Sequence, residues 1–195
     1  MSTPQADKRA LRAQVLARRD ALSEDERTEA SRRITASLLA HPAVLQARRA
    51  LVYLSFGSEF DTSRLIDALR ARAVALVLPR TQREPRGLAL HEVSDLDADL
   101  APGVWGIREP RPERCPLVAR ESLDLVLAPG VAFTPRGGRL GYGGGFYDRL
   151  LGDWPQRPAV LAAAFEVQVV DELPIVAHDV PVDGVVTEAR VLARA

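Results

Sequence analysis

Four short apolar runs, separated by segments of helical periodicity, constrain the fold of this chain more than any other feature. Each run is about the length of a buried strand and is bounded by polar or turn-forming residues. The runs occupy residues 51–56, 74–78, 123–128 and 160–164. Regular alternation of strands with helices favours right-handed crossover connections, so we predict an open, mostly parallel sheet.

The N-terminal segment carries the clearest helical pattern. A helix is predicted over residues 8–21, because Leu11, Val15 and Leu22 fall on one stripe at about 100° per residue. The basic side chains immediately beside that stripe are Lys8, Arg12 and Arg19. Two interpretations stay open here. These long side chains could extend over apolar surface into solvent, or they could lend positive charge to a site on the body of the protein.

Capping signals predict two further helices. Residues 23–26, Ser-Glu-Asp-Glu, form a capping box that begins a second helix, and the pair His41-Pro42 ends it. We interpret His41 as a helix cap and not as a catalyst. Asp61 and Thr62 are expected to cap a third helix.

The middle of the chain gives weaker signals. Residues 88–93 predict another strand, on which His91 is expected to face solvent. Residues 94–122 lose periodicity and contain four prolines, which indicates surface loops. Cys115 is the sole cysteine, so an internal disulfide is excluded, and we expect an inert thiol in an exposed loop.

A glycine-rich stretch, residues 135–149, follows the third apolar run and leads into a predicted helix that begins near Tyr147. Glycines let backbone N–H groups approach an anion, and a helix directs its positive end toward its N-terminus. The stretch is not a P-loop, because no Lys-Ser or Lys-Thr follows the glycines. It is not a dinucleotide fingerprint either, because Phe146 stands where the third glycine is required.

Two interpretations of this stretch compete. A glycine-rich run is often only a flexible hairpin or surface loop. Here, however, cationic and aromatic side chains are interleaved with the glycines, which favours a binding site for phosphate. These side chains are Arg136, Arg139, Tyr142, Phe146, Tyr147 and Arg149.

Polar residues follow several of the predicted strands. Glu59, Arg80, the glycine stretch and the pair Phe165-Glu166 each come just after an apolar run. Because the carboxyl ends of parallel strands share one edge of an open sheet, where ligands bind, we expect these residues to converge on one site.

Composition sets the remaining limits. The chain has 195 residues, which predicts a single domain over residues 1–195. Its 26 basic and 26 acidic residues balance, so nothing in the net charge favours nucleic acid or a membrane surface as a partner. No stretch approaches the roughly 20 apolar residues that span a bilayer, and residues 1–20 lack a signal-peptide core. We expect a cytoplasmic monomer that acts on a small molecule.

The chain resembles the 5-formyltetrahydrofolate cyclo-ligase family, also called 5,10-methenyltetrahydrofolate synthetases, in segments that occur in order along nearly its whole length. The block of residues 129–148 is the most specific of them. The others are residues 8–12, 59–62, 78–80, 105–110, 124–128, 165–166, 178–180 and 182–188.

The resemblance implies a fold and an activity. The fold is a three-layer α/β/α sandwich with an open, mostly parallel sheet, as in ribose-phosphate isomerases and CoA transferases. The activity is the conversion of 5-formyltetrahydrofolate to 5,10-methenyltetrahydrofolate, which depends on ATP and Mg²⁺ and releases ADP and phosphate. In the family the formyl oxygen is phosphorylated and the folate N10 then attacks the formyl carbon.

The resemblance also implies roles for individual residues. Arg139, Tyr147 and Asp148 match catalytic positions, and Asp148 and Asp179 match carboxylates associated with Mg²⁺, with Asp183 as the alternative to Asp179. Residues that match the ATP site are Lys8, Arg9, Arg12, Arg139, Leu140, Gly141, Tyr142, Gly143, Gly144, Gly145, Phe146 and Tyr147. Residues that match the folate site are Glu59, Trp105, Tyr142, Gly143, Gly144, Gly145 and Phe146.

Purely structural roles compete with several of these assignments. Asp148 could be a first-turn helix acid, Asp179 or Asp183 could complete a turn, and Glu59 could merely precede a helix cap. The sequence also departs from the family in carrying Gly144 where some members have lysine, and Phe146 where tyrosine is more usual.

The alternative functions are a catalytically silent folate-binding homologue and, more remotely, a sugar-phosphate or CoA-type enzyme on the same fold, because fold alone does not determine function.

Overall fold

A computed structural model describes residues 4–174, 176 and 179–194, with the backbone alone for Pro4 and Trp105. The helices are α1 (Pro4–Asp20), α2 (Glu24–Ala40), α3 (Pro42–Gln46), α4 (Ser63–Ala71) and α5 (Phe146–Leu151). The strands are β1 (Arg49–Leu51), β2 (Ala75–Gln82), β3 (Gly87–Glu92), β4 (Leu100–Pro102), β5 (Arg108–Pro110), β6 (Leu125–Leu127), β7 (Ala132–Phe133), β8 (Arg139–Leu140), β9 (Ala159–Ala163), β10 (Gly184–Val186) and β11 (Val191–Ala193). Short 3₁₀ turns occupy Val104–Gly106, Arg120–Ser122 and Glu166–Gln168.

A seven-stranded sheet forms the centre of the protein, in the order β11-β10-β9-β6-β1-β2-β3. The five inner strands are mutually parallel, and only β3 and β11, at the two edges, run antiparallel to their neighbours. Two small antiparallel ribbons, β4–β5 and β7–β8, lie outside this sheet. The predicted mostly parallel sheet is confirmed.

Both faces of the sheet are covered by helices. On one face, α2, α3 and α4 bury Ile34, Leu38 and Leu69 against side chains of β1, β2, β6 and β9. On the opposite face, α5 and the segment that follows it pack Leu151 and Trp154 against the same strands. The chain therefore forms the predicted α/β/α arrangement, in which inner strands are apolar on both sides.

Helix α1 packs separately, against the β7–β8 ribbon. Its fully buried Val15 contacts Val131, Ala132 and Leu140, as the apolar stripe predicted. The capping box that begins α2 is also present, since Ser23 and Glu26 exchange side-chain and backbone hydrogen bonds. The local patterns therefore predicted both helices correctly.

The predicted limits of two strands were wrong. Strand β1 ends at Leu51, although the apolar run continues to residue 56. Strand β2 does not stop at Pro79 but continues to Gln82, paired with β3. Because β1 pairs with β2 only as far as Val77, Pro79 has one neighbouring strand, as at a sheet edge, where proline is tolerated.

The predicted exposure of two residues was also wrong. His91 is 3% exposed, and its Nδ1 lies 2.8 Å from the carbonyl oxygen of the buried Cys115. The cause is that residues 116–118 pair along the outer side of β3, through backbone hydrogen bonds to Leu90 and Glu92. The same region contains the β4–β5 ribbon and is therefore not made of loops alone.

Gly137 connects the glycine-rich stretch to the segment before β10 and has no room for a side chain. Its φ is +81°, and a Cβ would lie 2.2 Å from the carbonyl oxygen of Val182. We expect Gly137→Ala to lower the free energy of unfolding, measured by urea denaturation, by about 3 kcal/mol. Gly57→Ala is the matched control, since its φ is +59° with nothing within 4 Å of a Cβ. It should cost only about 1 kcal/mol, and equal losses would contradict the steric explanation.

Candidate functional site

A cleft of about 1080 Å³ opens at the carboxyl ends of β1 and β2, between α1 and the glycine loop that connects β8 to α5, residues 141–145. Residues that follow β1, including Tyr53 and Glu59, form one wall. Pro129, which follows β6, and Asp148 of α5 belong to the opposite wall of the cleft. The cleft is apolar at its floor and carries charged groups around it, as ligand sites commonly do.

Two ion pairs lie side by side in this cleft. Lys8 Nζ is 2.6 Å from Asp179 Oδ2, with side-chain exposures of 8% and 18%. Arg139 Nη2 is 2.6 Å from Asp148 Oδ1, with exposures of 2% and 19%. Val180 N–H donates to the same Asp148 oxygen at 3.2 Å. The segment 179–180 therefore connects the two carboxylates, each of which keeps part of its surface open to the cleft.

The glycine loop is held against α1 by Arg12. The Nε of Arg12 donates to the carbonyl oxygen of Gly141 at 2.7 Å. Gly143 has a φ of +100° and lies beside the Arg12 guanidinium, which would be in ordinary contact, 3.7 Å, with a Cβ at this position. Glycine is needed at this position because other residues rarely adopt such a φ. The loop thus crosses the mouth of the cleft with its backbone near a cation.

A hydrogen-bonded chain at the other end of the cleft links three side chains. Arg19 Nη1 donates to the Tyr142 hydroxyl at 2.8 Å, and that hydroxyl donates to Glu59 Oε1. The second oxygen of Glu59 accepts from the Phe56 N–H at 3.1 Å. Burial raises the pKa of Glu59, whereas the Tyr142 and Phe56 hydrogen bonds and the Arg19 charge oppose that rise. The carboxylate is therefore desolvated but supplied with donors.

Two tyrosines of the site are neutral phenols at physiological pH. Burial raises the pKa of Tyr142 well above its usual value, and the nearby Glu59 charge raises it further. Burial likewise raises the pKa of Tyr147, although the positive charge of Arg139 opposes it. The Tyr147 hydroxyl is buried without a hydrogen-bond partner among the described residues. Tyr147 also lines the cleft, and as a neutral phenol it keeps its hydroxyl proton.

Comparison with known proteins identifies the family. Residues 4–188 match the 5-formyltetrahydrofolate cyclo-ligase family. The Escherichia coli K12 5-formyltetrahydrofolate cyclo-ligase is 32% identical over 175 residues, covering 89% of this chain and 96% of that protein. The mouse 5-formyltetrahydrofolate cyclo-ligase is 30% identical over 194 residues, covering 95% and 96%. The chain belongs to the 5-formyltetrahydrofolate cyclo-ligase family.

Solved structures agree with this assignment. The 5,10-methenyltetrahydrofolate synthetase of Aquifex aeolicus matches with a TM-score of 0.84 and 34% identity, over 96% of this chain and 92% of that one. The synthetase of Mycoplasma pneumoniae matches with a TM-score of 0.75 at 23% identity, over 93% and 99%, and supports the fold alone. The predicted family and fold are both confirmed.

Most residues matched to cyclo-ligase positions lie together in the cleft. They are Lys8, Arg12, Glu59, Asp148, Asp179 and every residue from Arg139 to Tyr147. Gly144, which replaces the lysine of some cyclo-ligases, is closely packed, since a Cβ there would lie 2.6 Å from the Phe146 ring. A side chain at position 144 would therefore require that ring to move.

The remaining matched residues are placed differently. Arg9 is exposed and does not line the cleft. Asp183 binds Arg157 through both carboxylate oxygens, at 2.6 and 3.0 Å, and accepts from Val160 N–H. Asp183 lies off the cleft, whereas Asp179 lines it. The side chain of Trp105 lies outside the described part, although its neighbours Val104 and Ile107 line the cleft. His178 also lies outside the described residues.

The expected convergence of four loops was partly wrong. Glu59 and the glycine loop meet in the cleft, but Arg80 turns to Glu109 and the Pro110 carbonyl. Glu166 binds Thr187 and Arg190 near β10 and does not line the cleft. Strand β9, which precedes Glu166, is parallel to β1 and ends at the same edge, but it lies two positions away in the sheet. Glu166 is therefore displaced along that edge from the cleft.

The carboxylates present fit a metal that arrives with a nucleotide. Among the described residues, no three His, Cys, Asp or Glu side chains group closely enough to hold a metal ion by themselves. Mg²⁺ commonly takes one or two carboxylates and completes its coordination with phosphate oxygens and water. Asp148 and Asp179, joined through the segment 179–180 and partly open to the cleft, meet that requirement.

The sequence placed Arg19 among the cations that could serve a site but assigned it no specific role. Arg19 is 4% exposed and bonds to the Tyr142 hydroxyl, so it belongs to the same hydrogen-bonded chain as Glu59. Its position beside the apolar stripe of α1, with Lys8 and Arg12, was the available signal.

None of the described helices combines the length and apolar composition that crossing a membrane requires.

Proposed function

We propose that the cleft catalyses the ATP- and Mg²⁺-dependent cyclisation of 5-formyltetrahydrofolate to 5,10-methenyltetrahydrofolate, with release of ADP and phosphate. Family membership supports the reaction class. The observation that carries the proposal is the division of one cleft into a cationic end, with Lys8, Arg12 and Arg139, and an end built around Glu59. At about 1080 Å³ the cleft exceeds the usual size of a site for one ligand, roughly 300–1,000 Å³, and can hold two.

The cationic end is the proposed ATP site. Phosphoryl transfer requires the protein mainly to position the reactants and to neutralise developing charge. Lys8, Arg12 and Arg139 supply three cations beside a glycine loop whose backbone can approach an anion closely. Gly144 provides no charge of its own, but Arg149, which donates to the Gly144 carbonyl oxygen, also lines the cleft and adds positive charge near the loop. Arg9, which is exposed, is left out of the proposal.

Asp148 and Asp179 are the proposed ligands of Mg²⁺. When bound, the metal neutralises phosphate charge and orients the transferred group. Each carboxylate also holds a cation of the ATP site, through the Arg139–Asp148 and Lys8–Asp179 pairs. Asp148 and Asp179 therefore position both the basic side chains and the metal ion.

The opposite end is the proposed folate site. A carboxylate offers about four lone-pair positions, and Glu59 uses two of them to accept from Tyr142 and Phe56. The remaining positions can accept hydrogen bonds from N–H groups of the reduced pterin. ATP supplies the phosphoryl group that turns the formyl oxygen into a leaving group. N10 then forms its bond to the formyl carbon and releases its proton to solvent, and the carbon–oxygen bond breaks as phosphate departs. Arg139 stabilises charge on the transferred group, and the Tyr147 hydroxyl donates to it.

The proposal is tested by mixing the protein with 5-formyltetrahydrofolate and MgATP and following the absorbance of the methenyl product. We expect turnover that requires both ATP and Mg²⁺ and that falls to background in Asp148→Ala. Absence of signal above that variant would overturn the proposal. Calorimetric binding of folate without ATP consumption would instead identify a catalytically silent folate-binding homologue.

We further propose that the protein acts as a cytoplasmic monomer of one domain. Every group assigned to the site comes from a single chain, and its substrates are water-soluble. Sedimentation velocity at working concentration tests the oligomeric state, and a dimer there would contradict the proposal.

A further inference from the structure

Arg19 is a buried cation that reaches two carboxylates through hydroxyl groups and, among the described residues, forms no direct ion pair. It lies in the last turn of α1 and is 4% exposed. Its Nε donates to Ser58 Oγ at 2.9 Å, and that hydroxyl in turn bonds to Asp20. Its Nη1 donates to the Tyr142 hydroxyl at 2.8 Å. Burying a charge this deeply costs free energy unless the charge is well hydrogen-bonded. The two hydroxyl groups supply hydrogen bonds that offset this cost.

The bond from Arg19 determines which way the Tyr142 hydroxyl points. A phenolic hydroxyl has one proton, and when Arg19 donates to its oxygen, that proton is directed at another acceptor. The acceptor is Glu59 Oε1. Arg19 therefore makes Tyr142 a donor to Glu59, and a donor favours the ionised form of this desolvated carboxyl group.

Tyr142 belongs to the glycine loop, so the contact also connects the two ends of the cleft. The residue is 41% exposed. Its ring contacts Phe56, with centroids 5.4 Å apart, and the Arg19 guanidinium carbon, which is 5.9 Å from the ring centroid. One residue before it, the carbonyl oxygen of Gly141 is held by Arg12. Two arginines of α1 thus restrain consecutive residues of the loop.

We propose that Arg19 is a positioning residue for the cyclisation, which holds the Tyr142 hydroxyl on Glu59 and so fixes the glycine loop and the folate-binding carboxylate in one arrangement. The inference rests on the proposed function, because it assigns Glu59 to folate. Arg19 itself is separated from the cleft by Tyr142 and acts through it. Because Arg12 separately holds the carbonyl oxygen of Gly141 at the start of the loop, the contribution of Arg19 is mainly to folate affinity.

A purely structural role for Arg19 predicts different results. If Arg19 only anchored the end of α1, its loss would lower stability and impair both substrates alike, since α1 also carries Lys8 and Arg12. A positioning role predicts a selective rise in the KM for folate. It further predicts that Arg19 and Tyr142 act as a unit, so that removing both is no worse than removing one.

The pH dependence gives a second readout. The groups that face Glu59 are Arg19, Tyr142, Tyr53, Tyr147 and the Phe56 N–H. Arg19 and the Tyr142 hydrogen bond both lower the pKa of Glu59 against the effect of burial. Removing either raises that pKa further, so folate affinity should begin to fall at a higher pH in the variant than in the wild type as the solution is acidified.

The experiment compares Arg19→Met, Tyr142→Phe and the double variant with the wild type. Folate Kd by calorimetry, the KM values for folate and ATP, and kcat are measured from about pH 5 to about pH 8, the range in which a raised carboxyl pKa titrates. Ser58→Ala is the matched control, because it removes the other acceptor of Arg19 and leaves the Tyr142–Glu59 contact in place.

Each single variant should weaken folate binding about tenfold, the effect of one hydrogen bond of about 1.4 kcal/mol. ATP KM and the control should change less than about twofold, and Arg19→Lys should recover part of the affinity. An unchanged folate Kd in Arg19→Met, or equal losses of affinity for folate and for ATP, would overturn the inference. The proposed function would still be supported in that case if the wild type turns over. A wild type that binds folate without turnover would contradict the function alone, and one that does not bind folate would contradict both.

Discussion

Replacing Asp148 by asparagine is expected to lower kcat for methenyl formation by about 100-fold to 1,000-fold, the usual effect of removing one charged group that stabilises a transition state. The Asp148 carboxylate is 19% exposed to the cleft and accepts hydrogen bonds from Arg139 Nη2 and Val180 N–H through one oxygen. An asparagine keeps an oxygen for those two donors but loses the negative charge and the proposed metal ligand. The Mg²⁺ concentration for half-maximal rate should rise together with the loss of kcat.

Asparagine is more informative at this position than alanine. Arg139 has only 2% of its side chain exposed, and alanine would leave its guanidinium without the partner that it has in the native protein. Breaking a buried ion pair in that way costs about 3–5 kcal/mol. A loss of activity in Asp148→Ala would therefore mix unfolding with chemistry, whereas Asp148→Asn separates them when urea denaturation is measured in parallel.

Asp183→Asn is the control for this prediction. Asp183 is bound by Arg157 and Val160 N–H away from the cleft, so its loss should lower stability and leave kcat and the Mg²⁺ requirement within about twofold of wild type. Equal loss of kcat in the two variants would show that the metal assignment is wrong. An unchanged Mg²⁺ requirement in Asp183→Asn would also exclude Asp183 as the alternative to Asp179.

Features determined by neighbouring residues could be predicted from the sequence. The spacing of Leu11 and Val15 predicted α1, and the Ser23–Glu26 box predicted the start of α2, because both depend on contacts within about one or two helical turns. The glycine-rich stretch predicted a loop with its backbone open to a ligand. Gly143, with its φ of +100° close to Arg12, is such a position.

Features determined by distant pairing could not be predicted. Where β2 ends depends on β3, which pairs with it as far as Gln82. His91 and Cys115 are buried because residues 116–118 return along the edge of the sheet, and no local pattern marks that return. The order of the strands likewise decided which loops meet, and it placed Glu166 away from the cleft.

The candidate site divides in the same way. The residue types needed for an anion site were recognisable in the sequence, but their pairing was not, since Lys8 and Asp179 are 171 residues apart. Arg19 and Tyr142 are 123 residues apart, and Tyr142 and Glu59 are 83 apart. A helical stripe shows that Arg19 lies near an apolar face. Only the packing of α1 against the glycine loop shows which hydroxyl it contacts.

Replacing Lys8 or Arg12 by methionine is expected to raise the KM for ATP by about 10-fold to 100-fold, since a hydrogen bond to a charged group contributes about 1.5–3 kcal/mol. Both residues line the cationic end of the cleft, where Gly144 adds no charge of its own. The KM for folate should change less than about threefold. Arg18→Met is the matched control, because Arg18 is an exposed cation of the same helix and should leave both KM values unchanged.

The two cations should differ in their coupling to Asp179. Lys8 lies 2.6 Å from that carboxylate, whereas Arg12 donates to the Gly141 carbonyl oxygen. The double variant Asp179→Asn with Lys8→Met should therefore raise the ATP KM by less than the product of the two single effects. The double variant Asp179→Asn with Arg12→Met should raise it by the full product. Unchanged ATP dependence in both single variants would place the nucleotide elsewhere. Coupling of Asp179 to Arg12 as strong as its coupling to Lys8 would show that the three groups bind one phosphate together.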